Sequence, residues 1–233
     1  RATDVLLFCG VLYFTLLPLI FFWRVKGWPG IVLGNILVVF AYIAANILAQ
    51  RSSKRLAKFL LRAGSVQLSI FYLFTIGIRL QHVFFSRWGD QAVIDFEQRL
   101  FGGQPTVWMQ RLISPALTEW LIFCYVFYVA VYPVLGAIIY YRRGERELED
   151  YLFYLGLAIL LCATISFFFP VAGPMRQIGQ LYDVPLCGYF FAAIGEFMRN
   201  NIHSPGGAFP SMHCAAATIM GWIAFRYSRV SFY

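Results

Sequence analysis

Long apolar runs alternate with short polar turns along this chain. Runs near 5–23, 28–49, 63–85, 115–141, 151–169 and 212–226 approach the roughly 20 mostly apolar residues that a helix needs to cross a bilayer. They predict six transmembrane helices, of which the last is short for a span. Two longer segments, 86–114 and 170–211, separate the third from the fourth run and the fifth from the sixth. The first contains DQAVIDFEQRLFGGQPTVWMQRLI (90–113), where Val93, Phe96 and Leu100 share one helical face and Asp95, Gln98 and Arg99 lie elsewhere. Gly102, Gly103 and Pro105 break that helix, and Trp108 starts a second amphipathic piece. The second contains the short apolar stretch CGYFFAAIGEFMRNN (187–201). Amphipathic helices of this kind lie in the plane of the membrane interface.

Composition makes the membrane reading firm. The 233 residues are 60% hydrophobic and 13% charged, against about 45–50% and about 25% in soluble domains. Aromatic residues reach 19%, as belts at both lipid–water interfaces require. The net charge of +8 is concentrated in turns. RSSKRLAKFLLR (51–62) carries five Lys/Arg and no acid, RRGERE (142–147) three Arg, and RYSR (226–229) two. Cytoplasmic loops collect Lys and Arg, so the expected topology has a cytoplasmic N-terminus and puts 86–114 and 170–211 on the extracytoplasmic or lumenal face. The fold class expected is all-α: a polytopic transmembrane helix bundle of about six spans with interfacial helices in its outer loops. Residues 1–62 form a two-span segment ending in the basic loop, and 63–233 form the core. Positive charge split among short loops suits anionic membrane lipids and excludes a nucleic-acid-binding stripe. The five cysteines show no CxxC and no metal spacing, so no disulfide framework, metal site or cofactor is expected.

Candidate chemistry gathers before the last run, in GGAFPSMHCAAA (206–217). Ser211 is a favoured helix N-cap type. A helix start offers unpaired N–H groups and the positive end of a dipole. Gly206 and Gly207 permit close backbone approach, and His213 could donate a proton. The stretch therefore reads either as a cap with a packed histidine or as a phosphate cradle with an acid attached. FPVAGPMR (169–176) closes the fifth run and ends in Arg176. Arg79 and His82 stand three apart near the outer end of the third run and share a helix face; Arg79 either binds substrate or snorkels to the surface. Glu119 either serves the site or caps its helix start. His203 reads as a solvated loop residue.

FPSMH resembles the Pro-Ser-x-His signature of the type 2 phosphatidic acid phosphatase superfamily of membrane lipid phosphatases. The leading Ala208-Phe209 and the nonglycine residue before His213 resemble its inositol phosphorylceramide synthase branch. FPVAGPMR is similar to that branch's aromatic-Pro-x-Ala-x-Pro segment. FEQRLFGGQPTVWMQRLISPALTEW (96–120) is similar to the interfacial segment and following span of bacterial members. The likeness covers roughly residues 90–226. It implies an enzyme that hydrolyses or transfers a phosphoryl or phosphoalcohol group of a lipid-linked phosphate, with water or an alcohol as acceptor and no metal. A histidine of a third motif attacks phosphorus and forms a phosphohistidine. His213 maps to the acid that protonates the leaving alcohol and Ser211 to a phosphate ligand. By position and charge, Arg176 either substitutes for the family's basic ligand or binds lipid headgroups, and Arg79 and the Gly207 backbone are further phosphate-binding candidates from their own chemistry.

Two departures stand out. The first motif, Lys-x6-Arg-Pro, is absent, and no Lys follows Lys58. The third motif, Ser-Arg-x5-His-x3-Asp, is matched only by Ser228-Arg229, one helix after His213 and so expected on the opposite face. Either the chain continues past Tyr233 through two more spans that bring the nucleophile, or the protein is a non-catalytic lipid-phosphate-binding or scaffold relative.

Overall fold

The structure, a computed structural model, describes residues 1–201 and 206–227. His203 and Ser228-Arg229 lie outside them. Every regular element among the described residues is helical: α1 Ala2–Ile20, α2 Trp28–Arg51, α3 Arg55–Leu80, α4 Asp90–Phe101, α5 Pro105–Trp108, α6 Pro115–Arg142, α7 Glu145–Phe168, α8 Pro174–Gln177, α9 Phe190–Asn201 and α10 Met212–Tyr227, with 3-10 turns at Met109–Leu112 and Gly179–Leu181. The chain is thus an all-α bundle, as the apolar runs predict.

Five helices (α1, α2, α3, α6 and α7) are long and apolar enough to cross a membrane. The sixth predicted span is α10, whose 16 described residues extend about 24 Å at 1.5 Å per residue. Two helices start earlier than their apolar runs, α3 at Arg55 and α7 at Glu145, because charged first turns continue the helix beyond the apolar stretch. The second amphipathic piece starts at Pro105, not Trp108: proline suits a first helical turn, and Trp108 closes α5.

Short turns make neighbouring helices antiparallel, so the bundle has two distinct ends. At the basic end, Arg55 donates to the Tyr140 and Tyr141 carbonyls, both at 3.2 Å, and Arg143 Nε donates to the Tyr227 carbonyl at 2.9 Å. At the loop end, Arg24 Nη1 donates to the carbonyls of Val83 (3.2 Å) and Phe84 (2.8 Å), tying the α1–α2 turn to the residues after α3. Helices α4, α5, α8 and α9 belong to the loop end. Phe96 and Leu100 on α4, and Phe190 and Phe197 on α9, are exposed, as interfacial helices require.

Helix α7 forms the centre, packed by α1, α3, α6 and α10. Leu148, Tyr151, Leu152, Leu155, Ile159, Ala163 and Phe167 are buried along it at helical spacing. Lipid tails are as apolar as leucine, so close packing and polar bonds must hold such helices together.

The basic end supplies polar bonds in quantity. Arg62 is buried inside α3, which corrects its assignment to a cytoplasmic loop; Arg51, Lys54, Arg55 and Lys58 remain exposed. Its guanidinium grips Glu149 of α7 bidentately, Nε to Oε1 and Nη2 to Oε2, both at 2.6 Å. Its Nη1 donates to Asp4 Oδ1 on α1 at 2.7 Å, to the Tyr42 hydroxyl, and to Asn46 Oδ1 on α2 at 2.8 Å. Arg1 pairs with Glu149 at 2.8 Å. One buried cation thus joins four helices, with carboxylates on two of them offsetting its charge.

Candidate active site

The segments FPVAGPMR and GGAFPSMH, singled out separately in the sequence, lie side by side. The Ala208 N–H donates to the Val171 carbonyl at 3.2 Å, and the Phe169 and Phe209 rings meet edge to face with centroids 6.0 Å apart. Gly206 has φ +123° and is pressed so closely against the residue that caps the end of α3 that a Cβ there would overlap the Gln81 side chain. No L side chain suits that φ, so glycine is required on both counts. Gly207 lies beside Ile78 and Met212.

Ser211 caps α10. Its Oγ accepts from the Cys214 N–H at 3.3 Å, and its carbonyl accepts from Ala215 at 3.0 Å. The capping alternative is therefore realised locally. It does not exhaust the residue, because a hydroxyl that accepts retains its own proton to donate. His213, the second residue of α10, is exposed at the helix start. Its ring stacks on Tyr125 of α6, with centroids 5.0 Å apart and planes at 21°, and leans on Tyr128 at 5.4 Å and 35°. The Tyr128 hydroxyl is bonded to that of Tyr132, and the Tyr132 carbonyl accepts from the buried Tyr151 hydroxyl of α7 at 3.1 Å.

Arg176 sits on α8, exposed, with its guanidinium carbon 4.9 Å from the centre of the Trp88 ring. A cation over an indole face is attracted by the ring quadrupole. His82 meets the same indole edge-on at 4.3 Å, while its Nδ1 donates to the Phe85 carbonyl at 2.9 Å. Arg176 and His82 thus share one tryptophan. Arg79 follows another direction: its Nη2 lies 3.7 Å from where a Gly27 Cβ would stand, beside the α1–α2 turn.

Trp88-Gly89-Asp90 matches no motif in the sequence, yet the structure makes it a clamp on the FPVAGPMR loop. The Gly89 N–H donates to the Pro170 carbonyl at 2.7 Å. Asp90 is buried and accepts from the backbone N–H of Ala172 at 3.1 Å and of Gly173 at 2.7 Å. A Cβ on Gly89 would stand 2.9 Å from Phe169 Cε2. The only local signal was an acid at the first turn of α4, which reads equally well as an ordinary dipole partner.

Glu119 does not cap its own helix; Ser114 does that, accepting from the Leu117 N–H at 3.4 Å. Instead the Glu119 carboxylate accepts from the N–H groups of Tyr189, Phe191 (2.9 Å) and Ala192 (2.9 Å), and so holds the start of α9 against α6. Chemically, the segments joined by the Ala208–Val171 hydrogen bond offer an imidazole, a hydroxyl, amides of a helix start and a guanidinium.

The family model of the PAP2 superfamily matches residues 91–233. No curated protein and no solved structure shows significant similarity to the chain. The matched region runs from α4 to the end of the sequence and contains Arg176, Ser211 and His213. Since it covers more than half of the 233 residues, the chain belongs to the PAP2 superfamily, the type 2 phosphatidic acid phosphatases.

Proposed function

We propose that the protein is a multi-pass membrane enzyme that hydrolyses or transfers a phosphoryl or phosphoalcohol group of a lipid-linked phosphate, in the manner of the inositol phosphorylceramide synthase branch. Membership of the PAP2 superfamily supports phosphatase- or phosphotransferase-type lipid phosphate chemistry. The observation that carries the finer reading is the Ala208–Val171 hydrogen bond, which seats the segment bearing Arg176 against the helix start bearing Ser211 and His213. Arg176 and the α10 amides offset phosphoryl charge, with Ser211 as a hydroxyl donor and the Gly207 backbone alongside. In the mechanism the family resemblance implies, a histidine of the third motif, Ser-Arg-x5-His-x3-Asp, which the 233 residues do not contain, attacks phosphorus. The P–O bond to the leaving alcohol breaks, a P–N bond forms, and His213 gives its proton to the leaving oxygen. Water or a second alcohol then takes the phosphoryl group and returns a proton to His213. The basic end, with its exposed Arg51, Lys54, Arg55 and Lys58, would face the cytoplasm, putting the site on the extracytoplasmic or lumenal face.

The test is a labelled-phosphate assay on the full-length protein in vesicles, offered phosphatidic acid or a phosphoinositol lipid with water, inositol, glycerol or a lipid alcohol as acceptor. Label released to water, as phosphate from phosphatidic acid or as inositol phosphate from the phosphoinositol lipid, identifies a hydrolase, and label moved to an alcohol identifies a transferase. Saturable binding of the lipid with no label moved in either direction would contradict the enzymatic reading and leave a lipid-phosphate binder.

A further inference from the structure

We propose that Tyr125 is a positioning residue for His213: its ring fixes the plane of the imidazole so that the acid meets the leaving oxygen in one orientation. The inference rests on the catalytic reading of His213 given above.

The imidazole has two aromatic neighbours on a single helix. Tyr125 and Tyr128 stand three apart on α6 and so present neighbouring rings on one face. Tyr125 lies nearly parallel to the imidazole, and Tyr128 closes a second side at a steeper angle. A histidine at the exposed start of a helix ordinarily rotates about its χ2 torsion, which is broad and soft. Contact with two rings restricts that rotation and so fixes the plane in which both ring nitrogens lie. The second ring is itself anchored. Tyr128 bonds to Tyr132, whose carbonyl is tied at 3.1 Å to Tyr151 of α7, and Tyr151 is completely buried. The orientation of His213 is thereby referred to the centre of the bundle. Tyr125 is half-exposed, so its place against His213 is not explained by core packing.

A mispositioned general acid slows the step in which the leaving group needs a proton and spares substrates that leave as stable anions. The experiment compares wild type, Tyr125→Ala, Tyr125→Phe and His213→Asn in the full-length protein, with phosphatidic acid (an alkoxide leaving group) and p-nitrophenyl phosphate (a stabilised anion). In Tyr125→Ala, kcat for phosphatidic acid falls about three- to tenfold at constant KM, the factor that one lost ring–ring contact supplies. Turnover of p-nitrophenyl phosphate does not follow, and Tyr125→Phe, which keeps the ring, restores kcat. His213→Asn falls much further, by roughly a hundredfold or more. In parallel, carbethoxylation by diethylpyrocarbonate is read at each histidine by mass spectrometry: His213 reacts faster in Tyr125→Ala, and His82 serves as the internal reference. Equal reactivity of His213 in wild type and Tyr125→Ala, or equal losses on both substrates, would overturn the positioning role. An unimpaired His213→Asn would instead overturn the catalytic reading, and the carbethoxylation rates would still decide whether the stack holds the ring.

Discussion

Asp90 and Gly173 are joined by a 2.7 Å hydrogen bond from backbone N–H to buried carboxylate, across more than eighty positions of sequence. A second bond, from Ala172 at 3.1 Å, makes Asp90 the fastening of the loop that carries Arg176. Hydrogen bonds to a charged group are each worth about 1.5–3 kcal/mol. Asp90→Ala leaves two N–H groups without an acceptor and is expected to destabilise the loop end by roughly that amount or more. Amide exchange at residues 171–173 should rise sharply in the variant. Asp90→Asn, which keeps one acceptor oxygen, should fall between the two.

The fold was largely legible in the sequence because a helix in lipid must be apolar over its length, and α1, α2 and α6 follow their apolar runs closely. Arg62 shows where that reasoning stops. It stands one turn beyond Lys58 in a basic stretch that looks like a loop, yet α3 has already begun at Arg55. Its partners Asp4 and Glu149 come from distant helices that no local pattern reveals. The site divides similarly. Pro-Ser-x-His and FPVAGPMR declare themselves by residue type, whereas Asp90, Tyr125 and the grip of Glu119 on α9 depend on contacts made only after folding.

Arg62 is expected to be the most sensitive single position of the bundle. Removing one partner of a buried ion pair costs about 3–5 kcal/mol, and Arg62→Ala would leave Glu149 and Asp4 only the more exposed Arg1 as a cationic partner among the described residues. Arg62→Ala should therefore lower the unfolding temperature in nanodiscs strongly. Replacement of the exposed Lys58 by Ala should leave that temperature nearly unchanged.

Two glycines should respond oppositely to the same substitution. A Cβ on Gly30, in the first turns of α2, meets nothing within 4 Å, and alanine there is expected to stabilise by up to about 0.5–1 kcal/mol through lost backbone entropy. Gly206→Ala introduces a Cβ at φ +123° against Gln81 and should shift the 206–211 segment. Thermal unfolding and amide hydrogen exchange at residues 207–211 separate the outcomes: Gly30→Ala raises the midpoint and leaves exchange there as it was, and Gly206→Ala speeds it.

Glu119→Ala removes the acceptor of the Tyr189, Phe191 and Ala192 N–H groups. The first turn of α9 should then lose protection in hydrogen exchange while α6, capped by Ser114, keeps its own. Unchanged protection at 189–192 would mean that packing of the Phe191 ring on Phe123 is enough to seat α9.

The decisive measurement is phosphoryl release or transfer from a labelled lipid phosphate by full-length wild type and His213→Asn in vesicles, with folding checked by matched unfolding temperatures. If His213 is the acid, the variant loses roughly a hundredfold or more in turnover while retaining lipid binding. Turnover at the wild-type rate by a folded His213→Asn variant would contradict it.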